Sequence, residues 1–139
     1  ITDEEEVGHG QIYWRLVRPN EESDLGPLHA DRWFWDLGHG HTPLGKRRVK
    51  VWIAVISEPG RNGLQVVPDS HNREFRYHGE MRDGFVKPVP DDELSDLDLQ
   101  LLDLPPGGVA VFHDGLIHSG AVNRGQEMRV SAEFTLFID

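Results

Sequence analysis

Short segments that are rich in β-branched residues, or in which apolar and polar residues alternate, dominate the chain and predict β-strands. The predicted strands are Gln11–Arg18, Arg48–Ile56, Leu64–Pro68, Leu99–Leu104, Val109–His113 and Met128–Ile138. The last of them alternates over its whole length, so that Arg129 and Ser131 share a polar face. The opposite face is an apolar stripe that we expect to face the core, formed by Val130, Ala132, Phe134, Leu136 and Ile138.

Three segments do not have a strand pattern. Asp91–Asp98 has the only helical pattern, and it predicts a helix of little more than two turns. Asp36–Arg48 and His71–Gly84 are long, polar segments that predict either functional lids and binding loops or simple surface excursions. Many short strands, Gly/Pro-rich turns and almost no helix predict an all-β domain, built as a sandwich, a jelly roll or a small barrel.

Composition excludes several classes of partner. The 139 residues include 24 acidic and 14 basic side chains, so the formal charge is −10. Phosphate backbones and anionic lipids would repel such a chain, so we expect neither nucleic-acid nor membrane partners. Cysteine is absent, which excludes disulfides and thiolate metal sites and fits a cytoplasmic protein.

Eight histidines raise the expectation of a metal site. His29 and Asp31 are two positions apart, and on a strand both side chains would point to the same face and could reach one ion. A third ligand must come from elsewhere, and the segment VAVFHDGLIHSG offers two candidates, His113 and His118. The pair His29/Asp31 alone does not exclude a polar turn, because short motifs of this kind also arise by chance.

The polar face of the last strand predicts an anion site. A buried guanidinium at Arg129 requires a counter-charge, because an unpaired buried charge is costly. A dicarboxylate would provide it through bidentate pairing with Arg129, and the Ser131 hydroxyl could add a hydrogen bond.

The joint spacing of these motifs resembles the phytanoyl-CoA dioxygenase-like family of Fe(II)- and 2-oxoglutarate-dependent oxygenases. HAD at residues 29–31 is followed by HSG at 118–120, then by Arg129, eleven positions after His118, and by Ser131. NGLQVVPDSHN and LPPGGVAVFHDGLIHSGAVNRG are also similar to segments of this family. The resemblance extends from about Gln11 to Ile138, which is most of the chain.

The resemblance implies a double-stranded β-helix, the cupin-like jelly roll, with Fe(II), 2-oxoglutarate and O2 as cofactors. His29, Asp31 and His118 match the iron ligands of the family. Arg129 matches its anchor for the distal carboxylate of 2-oxoglutarate, and Ser131 assists it. Halogenases related to this family carry a small residue in place of the aspartate, so Asp31 favours hydroxylation or another oxidation.

The chain departs from the family pattern at two places. Only 28 residues precede His29, so we expect a single domain, 1–139, that lacks the helical region found before this motif in the family. A contact to 2-oxoglutarate from that region therefore cannot be placed in this sequence, and Tyr13 and Arg15 are our candidates to replace it. Asp69 occupies a turn position where the family usually has glycine, which predicts a different turn geometry.

The remaining histidines are interpreted as structural. The distance to Arg129 favours His118 over His113 as the third ligand, so His113 is expected to be a structural neighbour of the site. His39 and His41 lie between glycines and are expected to be exposed loop residues. His71 is expected to stabilise a turn near the pocket.

Two groups of large or charged side chains have a less specific interpretation. Trp33, Phe34 and Trp35 are expected to form core or pocket wall rather than to stack on a substrate. Arg47, Arg48 and Lys50 form either a solvated edge or a patch that attracts an anionic substrate, and the sequence leaves both open.

The sequence thus predicts an oxygenase that hydroxylates a small organic substrate and converts 2-oxoglutarate to succinate and CO2. Two alternatives remain open: a cupin-like metalloenzyme that does not use 2-oxoglutarate, and a non-catalytic ligand-binding jelly roll. Neither the substrate nor the oligomeric state follows from the sequence, because substrate contacts in such folds come from variable loops.

Overall fold

The computed structural model of the protein describes residues 12–139, in which almost all regular structure is β. One short helix, α1, spans Asp31–Asp36. The strands in chain order are β1 (Tyr13–Val17), β2 (Arg47–Ile56), β3 (Leu64–Val66), β4 (Tyr77–Arg82), β5 (Phe85–Pro90), β6 (Gln100–Leu101), β7 (Val109–His113), β8 (His118–Gly120) and β9 (Arg129–Ile138). No helix within this part of the chain is long and apolar enough to cross a membrane.

The strands form two antiparallel sheets and a separate hairpin. The larger sheet has the order β1-β9-β2-β7, the smaller has the order β6-β3-β8, and β4 pairs with β5. The larger sheet packs on the smaller through a core in which Trp52 and Ala54 of β2 meet Leu64 and Val66 of β3. This arrangement is the double-stranded β-helix, or jelly roll, that the sequence predicted, so the predicted fold class is confirmed.

All six predicted strands are present. β7 has the predicted bounds, and β2 and β9 each differ by one residue at their start. Gln11, with which the first predicted strand begins, lies outside the described residues. In the remainder of that strand Arg15 is paired with Ser131 and Val17 with Arg129, so these four side chains lie on one face of the sheet.

Two segments differ from their prediction. Asp91–Asp98 is not helical; Leu94 is buried in the core instead, with Leu97 packed beside it. Eight residues could form only two turns, and burial of the leucines outweighs such a short helix. Part of the predicted loop His71–Gly84 is strand β4, which turns into β5 at Asp83 and Gly84. Both turn residues have positive φ, as a two-residue hairpin turn requires. The Asp-Gly sequence could therefore have predicted this hairpin.

The predicted core stripe of β9 is wrong. Arg129 and Ser131 are buried, with exposed fractions of 2% and 0%, whereas Ala132 is the one buried member of the predicted stripe and Ile138 is 39% exposed. The polar face points inward because Ser131 pairs with Ala54 of the core and the Arg129 guanidinium lies over the ring of Trp52. The apolar face is the outer face of the larger sheet, and the interior is therefore partly polar.

Asp69 has a left-handed backbone conformation, which glycine adopts more readily than other residues. Its φ is +59° and its ψ is +2°, in the left-handed region, immediately before the short 3₁₀ turn Ser70–Asn72. The predicted difference from the turn geometry of the family stays a prediction. Aspartate tolerates the left-handed region better than most residues, but its Cβ still makes this conformation less favourable than it is for glycine.

We expect Asp69→Gly to stabilise the protein by about 0.5–1 kcal/mol, because glycine removes the Cβ strain. The Asp69 side chain is exposed and does not cap the turn that follows. Urea unfolding measures the difference, and Asp69→Ala is the matched control that keeps a Cβ. A midpoint for Asp69→Gly at or below that of the unaltered protein would contradict this account.

Candidate metal centre

His29 and His118 are neighbours because their backbones pair. The His29 amide donates to the His118 carbonyl at 3.1 Å, and the His118 amide donates to the His29 carbonyl at 3.0 Å. This isolated bridge adds His29 to the edge of the smaller sheet beside β8. The ring centroids of the two histidines are consequently 4.6 Å apart.

The Nδ1 atom of each ring forms a hydrogen bond with a backbone carbonyl. His29 Nδ1 lies 2.8 Å from the Pro27 carbonyl, and His118 Nδ1 lies 2.8 Å from the Leu116 carbonyl. A carbonyl accepts only, so each Nδ1 carries the proton and each Nε2 presents a lone pair. Hydrogen bonds of this kind orient metal-binding imidazoles.

Asp31 completes the group from a different element than the sequence predicted. Ala30 is extended, but Asp31 is the first residue of α1, so the assumption of two alternate strand positions is wrong. The turn into the helix nevertheless brings its carboxylate to the imidazoles. Asp31 Oδ1 lies 3.9 Å from His29 Nε2, and Asp31 Oδ2 lies 3.6 Å from His118 Nε2.

This arrangement fits a divalent metal ion. One ligand atom from each of His29, Asp31 and His118 lies within 4.8 Å of the other two. Asp31 Oδ2 and His118 Nε2 are buried and have no hydrogen-bond partner among residues 12–139. Unsatisfied buried polar atoms are costly, and a shared cation would satisfy both. Two neutral imidazoles and one carboxylate form the donor set that non-haem Fe(II) sites use.

Burial acts on the protonation of the site. It lowers the pKa of His118 to about 4, an effect that nearby His29 reinforces and Asp31 opposes. Burial pushes the pKa of Asp31 upward, but Lys50 and the two imidazoles outweigh it, and the pKa of Asp31 is lowered overall. A neutral imidazole and an ionised carboxylate are the forms that bind a metal ion.

Arg129 and Ser131 lie together inside the barrel. Arg129 Nη1 donates to Ser131 Oγ at 3.0 Å, but Arg129 Nε is buried without a partner and the guanidinium forms no ion pair with any described residue. Burial lowers the pKa of Arg129, against the attraction of Glu133. A buried guanidinium without a paired carboxylate favours the binding of an anion.

Tyr13 and Arg15 lie on the same face of the sheet as Arg129. Tyr13 is paired with Glu133 in the strand register, and Arg15 with Ser131. Both side chains are exposed, and Arg15 Nε donates to Glu133 Oε1 at 3.0 Å. Their proposed contact with 2-oxoglutarate stays a prediction.

Sequence reasoning missed the role of Lys50 and Glu133. Lys50 is buried, and its ammonium donates to Asp31 Oδ1 at 3.3 Å, so it belongs neither to a solvated edge nor to a surface patch. Glu133 Oε2 lies 3.8 Å from the same ammonium. Lys50 shares the inward face of β2 with Trp52, and Glu133 shares the inward face of β9 with Ser131, but the periodicity alone does not show which face points inward.

The other histidines within residues 12–139 lie outside this group of three candidate ligands. His113 is half exposed and contacts Arg32 and Asp114, as expected of a structural neighbour. His41 is exposed, but His39 is half-buried and its Nε2 donates to the Val86 carbonyl, so an exposed position for His39 was wrong. His71 lies in the 3₁₀ turn after Asp69, where its ring is 5.5 Å from that of His113.

The three aromatics after Asp31 serve mainly in packing. Trp33 is buried and stacks on Tyr77, and Trp35 packs edge-on against Phe137. Phe34 contacts the edge of the His29 ring with centroids 5.5 Å apart, so it also forms part of the wall of the site.

A cavity of about 270 Å³ lies where β2 begins and β7 ends. Its basic lining consists of Arg32, Lys46, Arg47, Arg48 and His113. The buried Asp114 carboxylate pairs with Arg48 at 2.7 Å and with Arg32 at 3.6 Å. One residue of the cavity lining, Arg32, directly follows the candidate ligand Asp31 in the sequence.

Comparison with known proteins identifies one matching family and several proteins of similar fold. The family model described as phytanoyl-CoA dioxygenase (PhyH) matches residues 3–131. No curated protein sequence matches the chain.

Several solved structures share the fold at low identity. EvdO2 from Micromonospora carbonacea var. aurantiaca, complexed with 2-oxoglutarate, is 18% identical with a TM-score of 0.65, over 99% of this chain and 54% of EvdO2. The epimerase SnoN in complex with Fe3+, alpha-ketoglutarate and nogalamycin RO is 18% identical with a TM-score of 0.58, over 96% and 49%. The carbocyclase SnoK from nogalamycin biosynthesis is 18% identical with a TM-score of 0.55, over 96% and 49%. The chain spans about half the length of these proteins.

We expect the metal-free protein to lose stability as the pH falls from about 6.5 to about 4. The folded protein disfavours protonation of His118, so the unfolded chain binds this proton first. The contribution of His118 is complete above its unfolded pKa of 6.5 and is lost as the pH approaches its folded pKa of about 4. Its size is on the order of 3 kcal/mol.

Urea unfolding in the presence of a chelator, at a series of pH values, measures this loss. His118→Gln cannot titrate and is the control, because the other ionisable groups are the same in both proteins. An equal loss of stability in the two proteins over this pH range would show that His118 is not the group responsible.

Proposed function

The chain belongs to the phytanoyl-CoA dioxygenase family, and from this premise we propose that it is an Fe(II)- and 2-oxoglutarate-dependent oxygenase. The observation that carries the proposal is the convergence of His29, Asp31 and His118, with two unpartnered ligand atoms, in a barrel that also buries Arg129. Each of these residues matches a motif position of the family.

The chain's own groups would bind and orient both cofactors. His29 Nε2, His118 Nε2 and an oxygen of Asp31 would hold Fe(II), which would supply the oxidising chemistry. Arg129 and Ser131 would bind the distal carboxylate of 2-oxoglutarate, since the guanidinium has an unpartnered Nε and forms no ion pair with any residue in 12–139. Trp52 is buried beneath Arg129 and would exclude water from this contact.

The proposed reaction is hydroxylation of a small organic substrate, with conversion of 2-oxoglutarate to succinate and CO2. An aspartate at position 31 supports oxygenation over halogenation, because it fills the place that halide takes in related halogenases. Structural neighbours include an epimerase and a carbocyclase, so hydroxylation is the proposed member of a wider group of oxidations.

We propose a cytoplasmic location, which fits a protein without cysteine.

We propose that the substrate enters beside α1, where the loop residues 36–48 reach the cavity. Thr42, Lys46 and Arg47 of that segment line it, together with Arg32 of α1. A neighbouring cavity of about 230 Å³ is lined by Arg32, Arg73 and Tyr77, so residues of the segment 71–84 also reach the entrance. Loops at such an entrance usually determine which substrate is accepted.

Anaerobic addition of Fe(II) and 2-oxoglutarate should give a visible charge-transfer band. Asp31→Ala should weaken the band by removing a metal ligand. Arg129→Met should raise the 2-oxoglutarate concentration for half-saturation about ten- to a hundred-fold, because a hydrogen bond to a charged group contributes about 1.5–3 kcal/mol. The exposed Arg124→Met is the matched control and should leave the titration unchanged. Absence of the band in the folded, unaltered protein would refute the proposal.

In air, the iron-loaded protein should convert 2-oxoglutarate slowly to succinate without any other substrate. With labelled O2, one labelled oxygen atom should appear in the succinate, and His118→Ala should abolish the conversion. A protein that binds iron but forms no succinate would instead be a cupin-like metalloenzyme that does not use 2-oxoglutarate. A protein that binds no metal would be a ligand-binding jelly roll.

A further inference from the structure

Lys50 is a buried lysine in the interior of the barrel. Its side chain is 8% exposed and lies on the inner face of β2, two positions before the core residue Trp52. Lysine is rarely buried to this extent unless its charge is paired, because burial of an ammonium group is costly. The partners of Lys50 therefore indicate why it is there.

The ammonium of Lys50 lies between two carboxylates. Lys50 Nζ is 3.3 Å from Asp31 Oδ1 and 3.8 Å from Glu133 Oε2. Glu133 is fixed from its other side by Arg15, whose Nε donates to Glu133 Oε1 at 3.0 Å. Four groups of alternating charge thus connect the edge strand β1 to a member of the candidate metal centre.

Lys50 distinguishes the two oxygens of Asp31. Oδ1 accepts the hydrogen bond from Lys50, whereas Oδ2 is buried, has no partner within residues 12–139 and lies 3.6 Å from His118 Nε2. A carboxylate held in this way offers one oxygen to a metal ion and keeps the other engaged with the ammonium.

We propose that Lys50 is a positioning residue that makes Asp31 a one-oxygen ligand, and that Glu133 balances its charge. This inference rests on the proposed function, because an oxygenase of this class needs the remaining coordination positions for its cosubstrate and O2. A carboxylate that bound through both oxygens would occupy one of those positions. Hydrogen bonds to ligating carboxylates are a general means of orienting them.

Glu133 is required because an isolated ammonium near the centre would repel a divalent cation. Its carboxylate is close enough to offset the charge of Lys50 while leaving the hydrogen bond to Asp31 in place. Its own side chain is only 13% exposed, so screening by solvent is limited.

A purely structural ion pair does not explain this arrangement as well. Replacing a buried ion pair with apolar residues is often neutral or stabilising, so the fold has no need of a charged group at position 50. Thr135 and Phe112, its neighbours in the strand register, would tolerate an apolar chain of similar length. The contact that only a cation can provide is the one to Asp31.

The test is titration of metal-free protein with Co(II), without 2-oxoglutarate. Lys50→Met keeps the length of the side chain but removes the donor. We expect the Kd for Co(II) to rise about ten- to a hundred-fold, as is typical when a hydrogen bond to a metal ligand is removed. The visible spectrum of the saturated variant should also change, because it reports the number of ligand atoms. Lys87→Met, at an exposed lysine paired with Asp83, is the matched control and should match the unaltered protein.

A double variant, Lys50→Met with Glu133→Gln, separates positioning from charge balance. It removes the carboxylate that in Lys50→Met retains only Arg15 as a partner, so it should fold, and Co(II) binding should remain weak. Thermal unfolding checks that both variants are folded. Recovery of the original Kd in the double variant would overturn the proposal, because Lys50 would then serve only to neutralise Glu133.

Two further results are decisive. Unchanged affinity in Lys50→Met, or a saturated spectrum identical to that of the unaltered protein, would overturn the role of Lys50 alone. Failure of the unaltered protein to bind Co(II) would overturn the proposed function and this inference together.

Discussion

The backbone pairing between His29 and His118 is the contact on which the candidate site depends. Two reciprocal hydrogen bonds join residues that are 89 positions apart (118 − 29 = 89) and align their side chains. The carbonyls of Pro27 and Leu116 then orient both rings. The helix that begins at Asp31 adds the carboxylate. The geometry of the site is therefore a consequence of strand pairing in the smaller sheet, and any change that separates His29 from β8 would disperse the ligands.

Much of the fold and most of the candidate site could be predicted, for identifiable reasons. The bounds of β2, β7 and β9 follow from runs of apolar or alternating residues, which are local features of the sequence. The grouping of His29, Asp31 and His118 followed from motif spacing in a family, although the assumed strand at Asp31 was wrong. Motif spacing can identify the right group of residues even when the secondary structure expected around them is wrong. More than one backbone conformation can bring two nearby side chains together.

The remaining features could not be predicted because they depend on which face of a strand points inward. Periodicity shows that Arg129 and Ser131 share a face, but it assigns the apolar face of β9 to the core. Instead, Arg129 and Ser131 face a partly polar interior, and of the apolar stripe only Ala132 is buried. The same reversal concealed Lys50. A lysine in an otherwise apolar strand is expected to be exposed to solvent. Only the packing of the neighbouring strands shows that the face carrying Lys50 is buried.

Burial explains why a cation beside Asp31 is useful. Removal from water disfavours the charged form of every group, so it has opposite consequences for the two kinds of ligand. For His118 it favours the neutral imidazole, which is the form that binds a metal ion. For Asp31 it favours the protonated carboxyl, which binds poorly, and Lys50 is the largest of the influences that oppose this. A buried site of two histidines and one carboxylate thus needs a nearby positive charge for its acidic member alone. Glu133 offsets that charge, because its carboxylate oxygen Oε2 lies 3.8 Å from the same ammonium.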